Sequence, residues 1–378
     1  KEEMKILHII PSLEIGGAQR LTFDICNELW QRPGIQIKLI IFRDVNEFGE
    51  RPFISLIPSS IELSVFKKNK FHVAKLQQEI ESFKPDIIHS HLFVAEIVSR
   101  SCLNTDAIWF SHFHDNMPQL NNMTFQSLGS KTGILNFYEK QYLYKRYKLN
   151  GGNNFIAISQ NAFDYARRVI PKSGSLKYLN NAIDYEAFCS PVKAINNKKI
   201  IRLVNVGSFQ KKKNQLFLVE VLKKLLERGI ICELTFLGAG TEMKRVENRA
   251  EELGVKDHII FKGNVTNVHS VLAESDIYVH SAYYEPFGLV LLEAMAAGLP
   301  VVCLNGGGNA DIIENGVNGW MIDPLDAEKF TKKIKSLIEN KDDYIKIAER
   351  GQETAKEYGI QIYCDKLIAI YSASLEKT

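Results

Sequence analysis

The chain of 378 residues is longer than one hydrophobic core usually supports, so its length predicts two domains. Its composition is that of an ordinary soluble globular protein, with 45% hydrophobic and 24% charged residues. The formal net charge of +3 is too small to indicate a nucleic-acid binder, although it allows a local basic surface.

The cysteines and the first residues indicate a compartment. Six cysteines are far apart and none forms a Cys-x-x-Cys pair, which argues against a zinc knuckle or a redox motif. The chain starts with too short an apolar run for a signal peptide, and no run reaches transmembrane length. We therefore expect a cytoplasmic protein, with the inner face of the plasma membrane as an alternative location.

Short β-like runs alternate with helical patterns through the first half of the chain. The predicted strands cover residues 5–10, 35–42, 85–91, 107–115 and 155–159. Helical patterns lie between them, including a long tyrosine-rich stretch before the last strand. Strands that alternate with helices form parallel βαβ units, so this half predicts an open parallel sheet.

A second series of the same kind follows the polar stretch at 191–199. Its predicted strands cover residues 202–209, 232–240, 259–265, 277–282 and 300–305. The predicted fold class is α/β with two such sheets. The predicted domains cover 1–185 and 186–357, and a final helix at 358–378 packs back on the first. We expect the ligand in a cleft beyond the carboxyl ends of the strands.

Two glycine motifs follow strands. Gly16 and Gly17 precede a helix, where backbone N–H groups can approach an anion, although a plain turn is an equally good reading. The segment 237–240 begins like a dinucleotide fingerprint, but Met243 occupies the position of the third glycine. We therefore expect a tight turn there.

Three lysines, Lys211 to Lys213, lie between a predicted strand and the start of the next helix. Cations are unfavourable at that end of a helix unless an anion lies between them. This position predicts phosphate binding, with Lys213 nearest the helix, and a solvated basic turn is the alternative.

Histidines end two predicted strands. His114 lies in the run HFHD at 112–115, which ends a strand, where a side chain can reach a reacting group, and a structural histidine is the alternative. For His89 and His91 we favour the structural role.

The segment EPFGLVLLE at 285–293 carries two acids around an apolar run. Pro286 and Gly288 predict that a helix begins just after Glu285, with free N–H groups at its N-terminus. Glu293 then lies about 7–8 Å further along the axis. Two carboxylates at this separation suit a ligand with a diol at each end and an anion between them, such as a sugar nucleotide.

Together these segments resemble the retaining GT-B glycosyltransferases of family 4 along nearly the whole chain. The resemblance covers Gly16-Gly17, PDIIHSH, HFHD, NNAID, VGSFQKKKNQ, FKGNV, EPFGLVLLEAMAAGLPVV and GGNADIIENGVNGWMI. It implies two Rossmann-like domains that face each other across a cleft, an N-terminal acceptor-side domain at 1–185 and a C-terminal nucleotide-sugar-binding domain at 186–357.

The resemblance also implies roles. Glu285 holds the donor hexose and His114 lies near its anomeric carbon, so these two are the expected catalytic residues. The remaining donor-binding residues are Gly16, Gly17, Ser208, Lys213, Asn264, Val265, Phe287, Gly288, Leu289 and Glu293. Gly16, Gly17 and Lys213 bind the diphosphate, the Phe287 to Leu289 amides assist Glu285, and Glu293 holds the ribose.

Three positions depart from the family pattern. Ser208 replaces an arginine, so one phosphate cation is missing and Lys211 or Lys212 is the candidate substitute. Ala182 replaces a glycine of the hinge, and Asp311 replaces a glutamate.

The expected activity is retaining, metal-independent transfer of a hexose from a UDP- or GDP-sugar, with UDP preferred. The acceptor is a glycan or a lipid-linked molecule in bacterial cell-surface polysaccharide synthesis. The chain shows no Asp-x-Asp or other metal-ligand cluster, so we expect no metal and no cofactor. The alternatives are a GT-B epimerase or phosphorylase, and a non-catalytic two-lobed sugar-binding protein.

The segment EKQYLYKRYK at 139–148 mixes four cationic residues with tyrosines. Such a helix suits contact with an anionic membrane that presents a lipid-linked acceptor. A half-buried domain helix with a solvated basic side is the slightly favoured alternative.

Overall fold

The structure is a computed structural model that describes residues 3–58, 70–102, 105–121, 130–149, 153–195, 200–323 and 325–376. Its internal contacts divide the chain into two units, Lys1–Asn181 with Ile360–Thr378, and Ala182–Gly359. The borders expected from the sequence were residues 185 and 357. The C-terminal helix is grouped with the first unit.

The first unit contains a seven-stranded parallel sheet in the order β3-β2-β1-β4-β5-β6-β7. Its strands are β1 (Met4–Ile10), β2 (Ile35–Ile41), β3 (Ile54–Leu56), β4 (Ile87–His91), β5 (Ile108–Phe113), β6 (Asn153–Ala157) and β7 (Ser175–Tyr178). The chain leaves the sheet centre in one direction after β1 and returns to its other side at β4. The site of such a sheet is expected at this reversal, beyond the carboxyl ends of β1 and β4.

Helices connect these strands. They are α1 (Gly17–Trp30), α2 (Lys70–Phe83), α3 (Phe93–Ser99), α4 (Lys131–Leu149), α5 (Gln160–Val169) and, at the C-terminus, α13 (Ile360–Leu375). Helix α13 packs on the first unit, where Arg32 forms an ion pair with Asp365 at 2.9 Å. The Tyr371 side chain is fully buried beside the sheet.

The second unit contains a six-stranded parallel sheet in the order β10-β9-β8-β11-β12-β13. Its strands are β8 (Ile201–Val206), β9 (Cys232–Leu237), β10 (Ile259–Phe261), β11 (Ile277–His280), β12 (Val301–Leu304) and β13 (Trp320–Ile322). Its helices are α6 (Tyr185–Phe188), α7 (Gln215–Glu227), α8 (Met243–Glu252), α9 (Val268–Ala273), α10 (Leu289–Ala296), α11 (Ala327–Glu339) and α12 (Lys341–Glu357). Strand order reverses here between β8 and β11.

The central strands carry apolar residues on both faces, together with buried histidines and serines, and are shielded from water on both sides. Strand β4 is fully buried, and so are β5, β11 and β12. Parallel strands covered by helices require this pattern, because neither face of the sheet meets water. The two parallel-sheet α/β units predicted from the sequence are therefore present. Within the described residues, no helix is both long and apolar enough to cross a membrane.

Candidate functional site

The loop between β11 and α10 carries Glu285, whose side chain is 11% exposed. Its backbone N–H donates to the Gly306 carbonyl at 2.7 Å, and its carbonyl accepts from the Gly308 N–H at 2.9 Å. A Cβ on Gly308 would lie 2.4 Å from the Pro286 carbonyl oxygen, so only glycine lets these loops approach so closely. The glycine-rich loop thus fixes the backbone that carries the carboxylate.

Lys213 forms an ion pair with Glu285, with 2.5 Å between Nζ and Oε2. It ends the 3-10 turn that follows β8, and its side chain is 15% exposed. The Ser281 hydroxyl donates to the Lys213 carbonyl at 2.8 Å and so joins the loops after β8 and β11. Of the three predicted lysines, Lys213 therefore faces the acid. Lys211 is exposed, and the Lys212 ammonium lies 5.5 Å from the centre of the Tyr284 ring.

His280, the last residue of β11, is a second neighbour of the Glu285 carboxylate, with 3.3 Å between Nε2 and Oε2. Burial lowers the pKa of His280, so its imidazole is neutral at pH 7. Burial alone would raise the pKa of Glu285, but the interaction with His280 and the charge of Lys213 outweigh it and hold the pKa at about 2. Glu285 is therefore ionised and acts as a hydrogen-bond acceptor.

Helix α10 begins at Leu289, with Gly288 as its N-cap residue at φ +103°. The first backbone hydrogen bond at the start of this helix is donated by the Leu291 N–H to the Gly288 carbonyl, at 2.9 Å. The N–H groups of Phe287, Gly288 and Leu289 therefore precede the hydrogen-bonded part of the helix. This start matches the one predicted from the sequence, and it places the positive end of the helix dipole beside Glu285.

Glu293 is the fifth residue of α10 and is half-buried. Burial is the main factor that raises the pKa of the Tyr278 phenol, and the charges of Glu293 and Glu285 raise it further. Both carboxylates thus act on one buried phenol, from the helix and from the loop before it. The two acids that the sequence predicted as a pair therefore both lie near Tyr278, and their joint role in holding a ligand stays a prediction.

Three loops at the carboxyl ends of β8, β9 and β10 pack backbone to backbone. The Gly207 N–H donates to the Leu237 carbonyl at 2.9 Å, and the Gly238 N–H donates to the Gly263 carbonyl at 2.7 Å. A Cβ on Gly238 would lie 2.2 Å from the Gly207 carbonyl oxygen. The glycine at 238 therefore serves loop packing, as expected for a tight turn.

The other predicted donor-binding residues of the second unit lie at the same edge of its sheet. Ser208 is exposed after β8, and exposed Asn264 and half-buried Val265 follow β10. The Phe287 side chain is only 2% exposed and packs near Tyr358, with ring centroids 5.9 Å apart. Phe287 can therefore offer a ligand its backbone N–H but not its ring.

Gly16 and Gly17 lie at the start of α1 in the first unit. Gly17 is the first helical residue and is exposed, and Gly16 is the N-cap residue. Residues 11–15 separate the pair from the end of β1. A Cβ on Gly16 would meet the side-chain oxygen of Gln19 at 2.5 Å. The glycine pair therefore starts the helix at the carboxyl edge of the first sheet.

Five histidines form a cluster on the three central strands of the first sheet; we call it the histidine cluster, and its members are His8, His89, His91, His112 and His114. They account for five of the nine histidines of the chain, and each is 6% exposed or less. Burial lowers the pKa of every one of them, to about 3 for His8 and His114. The cluster is therefore neutral at pH 7.

Two hydrogen bonds link three members of the cluster. His8 Nδ1 lies 2.8 Å from His91 Nε2, and His91 Nδ1 lies 2.9 Å from His114 Nε2. The predicted catalytic residue His114 is thus also a hydrogen-bonded, buried histidine. The structural reading therefore applies to this residue, and its catalytic role stays a prediction.

The histidine cluster brings nitrogen atoms close together, including those of His91, His112 and His114, which lie within 4.8 Å of one another. An ion bound to an imidazole lies in the ring plane, about 2.0–2.1 Å from the nitrogen. His112 and His114 are stacked, with ring centroids 4.2 Å apart and planes at 17°. One metal ion therefore cannot lie in the planes of both stacked rings and also close to a nitrogen of each. The arrangement of these histidines suits hydrogen bonding better than metal coordination.

The tyrosine-rich segment 139–148 lies within α4. The Tyr142 hydroxyl shares a hydrogen bond of 2.6 Å with Ser101, and the Arg146 guanidinium lies 5.0 Å from the centre of the Tyr142 ring. Lys140 is 8% exposed, with its ammonium 5.3 Å from the centre of the Tyr144 ring. These contacts favour a half-buried domain helix.

Two parts of the site lie outside the sequence-based prediction. His280 ends a strand five residues before Glu285, and the strand-end criterion that selected His114 applies equally to it. The cluster arises because His89 and His91 lie two residues apart on β4 and therefore point to the same face of the sheet. His8 on β1 pairs with His89, and His112 on β5 pairs with His91. Only the pairing of strands reveals that these histidines meet.

Two family models match consecutive parts of the chain. The model for glycosyltransferase family 4 matches residues 15–187, and the model for the glycosyl transferases group 1 matches residues 190–354. An uncharacterized glycosyltransferase of Haemophilus influenzae is 22% identical over 369 residues, which are 92% of this chain and 93% of that protein. The lipopolysaccharide core biosynthesis glycosyltransferase LpsE of Rhizobium meliloti is 34% identical over 152 residues, 40% of this chain and 44% of that protein.

A crystal structure of Anabaena Alr3699/HepE in complex with UDP and glucose is similar in fold, with a TM-score of 0.76 and 19% sequence identity. The similarity covers 98% of this chain and 100% of that one. The sucrose-phosphate synthase of Thermosynechococcus elongatus gives a TM-score of 0.78 at 16% identity, over all of both chains. These likenesses confirm the predicted GT-B fold.

Proposed function

Because this chain belongs to the group 1 glycosyltransferases of family 4, we propose that it transfers a hexose from a nucleoside-diphosphate sugar to a glycan or lipid-linked acceptor. The observation that carries this proposal is the buried group of Lys213, His280 and Glu285 beside the N-terminus of α10. Glu293 extends the group along the same helix.

In this proposal Lys213 and Glu285 form an ion pair with each other when no donor is bound. A sugar nucleotide offers each partner a better-matched group, since its diphosphate attracts the ammonium and its hexose hydroxyls donate to the carboxylate. The carboxylate is suited to this role because its pKa of about 2 keeps it ionised at pH 7. Glu285 therefore binds hydroxyls as an acceptor and does not serve as an acid.

Departure of the nucleoside diphosphate requires positive charge near the leaving oxygen. Lys213 supplies a full charge, and the N–H groups that precede α10 supply a partial one. We propose that these groups make a metal ion unnecessary. Retention of the anomeric configuration follows the family resemblance, with the leaving phosphate accepting the acceptor proton on the same face.

The first unit contributes residues to the same proposal through the family resemblance. Gly16 and Gly17 are assigned to the diphosphate, which the N-terminus of a helix of 14 residues suits electrostatically. His114 is assigned to the hexose near its anomeric carbon. In the second unit, Asn264 and Val265 are assigned to the base, and Glu293 to the ribose.

The proposed donor is a UDP-sugar rather than a GDP-sugar. The structurally similar Anabaena protein has been crystallised with UDP and glucose, which supports UDP for a chain of the same fold. A hexose is proposed on the same ground.

The acceptor is proposed to be a growing cell-surface polysaccharide or its lipid-linked precursor, because one relative is named for lipopolysaccharide core synthesis. Contact with an anionic membrane remains a prediction. Helix α4 exposes Ile134, Phe137 and Tyr138 before the basic segment, and liposome co-sedimentation measures whether this surface binds anionic lipid.

A thermal-shift screen of UDP, GDP and their hexose derivatives tests the donor site, since a ligand that binds the folded state raises its stability. We expect the largest shift from a UDP-hexose and its loss in Glu285→Gln. Glu251→Gln is the matched control, because Glu251 forms an exposed ion pair with Lys256 in the same unit.

Chemical analysis of the products separates the candidate activities. A transferase releases UDP and forms a glycoside when an acceptor is present, an epimerase changes the sugar without releasing nucleotide, and a phosphorylase requires inorganic phosphate. Binding without turnover of any donor would support a sugar-binding protein instead. The anomeric configuration of the glycoside, measured by NMR, decides between retention and inversion.

A further inference from the structure

The histidine cluster contains a row of three imidazoles joined edge to edge. The ring centroids of His8 and His91 are 5.0 Å apart with planes at 18°, and those of His91 and His114 are 5.2 Å apart with planes at 35°. Nitrogen–nitrogen distances of 2.8 and 2.9 Å are too short for face-to-face stacking, so each pair meets through its ring edges. The row runs from the middle of β1 to the end of β5.

The other two histidines each stack on one ring of this row. His89 stacks on His91 with centroids 4.5 Å apart, and His112 stacks on His114 at 4.2 Å. Tyr371 closes the inner end of the row: its hydroxyl lies 2.5 Å from His89 Nδ1 and 3.5 Å from His8 Nε2. The stacking restrains ring rotation, so the hydrogen bonds of the row keep a fixed direction.

A neutral imidazole has one N–H and one acceptor nitrogen, so the three rings must all donate in the same direction. If every ring donates from Nε2, the Tyr371 hydroxyl donates to His89 Nδ1, and the leftover N–H is that of His89 Nε2. If every ring donates from Nδ1, His89 Nδ1 donates to the Tyr371 hydroxyl, that hydroxyl donates to His8 Nε2, and the leftover N–H is that of His114 Nδ1. Neither of these two atoms has a hydrogen-bond partner among the described residues.

The cost of a leftover N–H decides between the two directions. A buried N–H without a partner is costly, and the cost is least where a ligand or water can reach the group. Both atoms are buried, but His89 lies in the middle of β4, whereas His114 follows the end of β5 and is 6% exposed as a residue. A local shift of residue 114 is enough to bring water or a ligand to its Nδ1, whereas reaching His89 Nε2 would require the sheet to open. The N–H therefore belongs on His114 Nδ1.

We propose that His8 and His91 are positioning residues that hold His114 as the Nδ1–H tautomer, so that it presents a hydrogen-bond donor to the hexose of the donor substrate. The part of the proposal that concerns the hexose rests on the proposed function. The tautomer itself is a property of the protein without substrate. Because His91 occupies His114 Nε2, Nδ1 is the ring nitrogen left for a ligand.

The tautomer is measured by ¹⁵N NMR of histidine-labelled protein without ligand, with His114 assigned from the spectrum of His114→Gln. We expect a protonated Nδ1 and an unprotonated Nε2 on His114. His91→Leu should move the population toward Nε2–H, and His91→Asn, whose amide N–H can replace the donor to His114 Nε2, should restore part of the Nδ1–H form. His72→Leu is the control, since His72 is a buried histidine of α2 outside the cluster.

His8→Asn provides a second test if His91→Leu does not fold. It keeps an amide donor near the Nδ1 position, so the Nδ1–H tautomer of His114 should persist, whereas His8→Leu should reduce it. An Nε2–H tautomer in the unaltered protein, or a tautomer that His91→Leu and His8→Leu leave unchanged, would overturn the proposal. So would a one-to-one zinc complex in titration calorimetry that is lost in His112→Phe, because coordination would then replace the hydrogen bonds.

Turnover of the donor adds a functional readout. His91→Leu should lower kcat/KM about tenfold, the effect of losing one well-placed hydrogen bond, and His72→Leu should not change it. An unchanged kcat/KM in His91→Leu would overturn the positioning role. If the protein turns over no sugar nucleotide, the proposed function fails, while the tautomer measurement still decides the state of His114.

Discussion

Two neighbouring side chains stabilise the negative charge of the nearly buried Glu285. Its carboxylate is nearly buried, and it is stabilised by a cation at 2.5 Å and by a neutral histidine at 3.3 Å. Removing one partner of such a pair leaves the other charged and desolvated, which costs more than the pair itself contributes. The stability of the second unit should therefore depend on the two side chains together.

A double-mutant cycle tests this dependence. Lys213→Met alone should lower the free energy of unfolding by about 1–3 kcal/mol, and Lys213→Met with Glu285→Gln should recover part of that loss. The two changes should therefore couple by more than about 0.5 kcal/mol in urea denaturation. The exposed pair of Lys256 and Glu251 gives a control cycle, for which we expect a smaller coupling. Strictly additive effects at Lys213 and Glu285 would show that the ion pair does not stabilise the unit.

At the scale of elements, the strands that the sequence predicted are the inner ones together with one edge strand, β10. Strands β3, β7 and β13 were not predicted, and each lies at an edge of its sheet. Their residues are mostly half-buried or exposed, so they lack the continuous apolar run by which the buried strands were recognised. Several predicted strands also extended too far, because the observed strands end before the glycine turns that the predictions included, as in β9, which ends at Leu237 rather than 240.

The site was predictable to the extent that it is local in sequence. Glu285, the start of α10 and Glu293 lie within nine residues, and helical geometry alone places them. The Lys213–Glu285 ion pair joins residues 72 positions apart, and the link between His8 and His91 spans 83. Such contacts depend on which strands are neighbours and in which register they pair. The strand order and the register cannot be deduced from a single sequence.

The contact between the loop at 306–308 and residues 285–287 is also an element-scale feature. In Gly308→Ala the new Cβ would meet backbone atoms of Pro286 and Phe287 at 2.4–2.6 Å, so one of the loops must move. A displacement of a binding group by about 1 Å is costly at such a site, so we expect at least about a tenfold loss of donor affinity. Titration calorimetry with the best UDP-sugar measures it.

Gly229→Ala is the control for this change. Gly229 has a positive φ of 74° and open space around its Cβ position, so alanine there strains only the backbone. It should lower the stability of the second unit and leave donor affinity unaltered. Equal donor affinity in Gly308→Ala and the unaltered protein would mean that the glycine loop does not position Glu285.

At the scale of the whole molecule, the two units have separate apolar cores and differ in the polar groups buried within them. The first core includes Leu7, Ile88 and Trp109, and the second includes Leu203, Phe236 and Val279. The histidine cluster lies in the first unit, on the strands that carry its core. The first unit should therefore be the more sensitive to acid between pH 6.5 and 4.

The sign of this effect follows from the direction of the pKa shifts. Burial lowers the pKa of each histidine of the cluster in the folded state, whereas an unfolded histidine titrates near its usual value of about 6.5. Between these values the unfolded chain binds more protons, so stability falls as the pH falls. For His8 and His114, whose folded pKa is about 3, the loss continues to roughly that pH. Each histidine that stays neutral in the folded state contributes about 1.4 kcal/mol per pH unit.

Urea denaturation of a Trp320→Phe variant isolates this unit, because the two remaining tryptophans, Trp30 and Trp109, both belong to it. We expect the free energy of unfolding to fall progressively from pH 6.5 to pH 4. Replacing His112 by Phe keeps an aromatic ring on His114 and removes one titrating group, so the slope should decrease by about 1.4 kcal/mol per pH unit. If the slope is the same with and without His112, this histidine is charged in the folded protein and the cluster is not a neutral array.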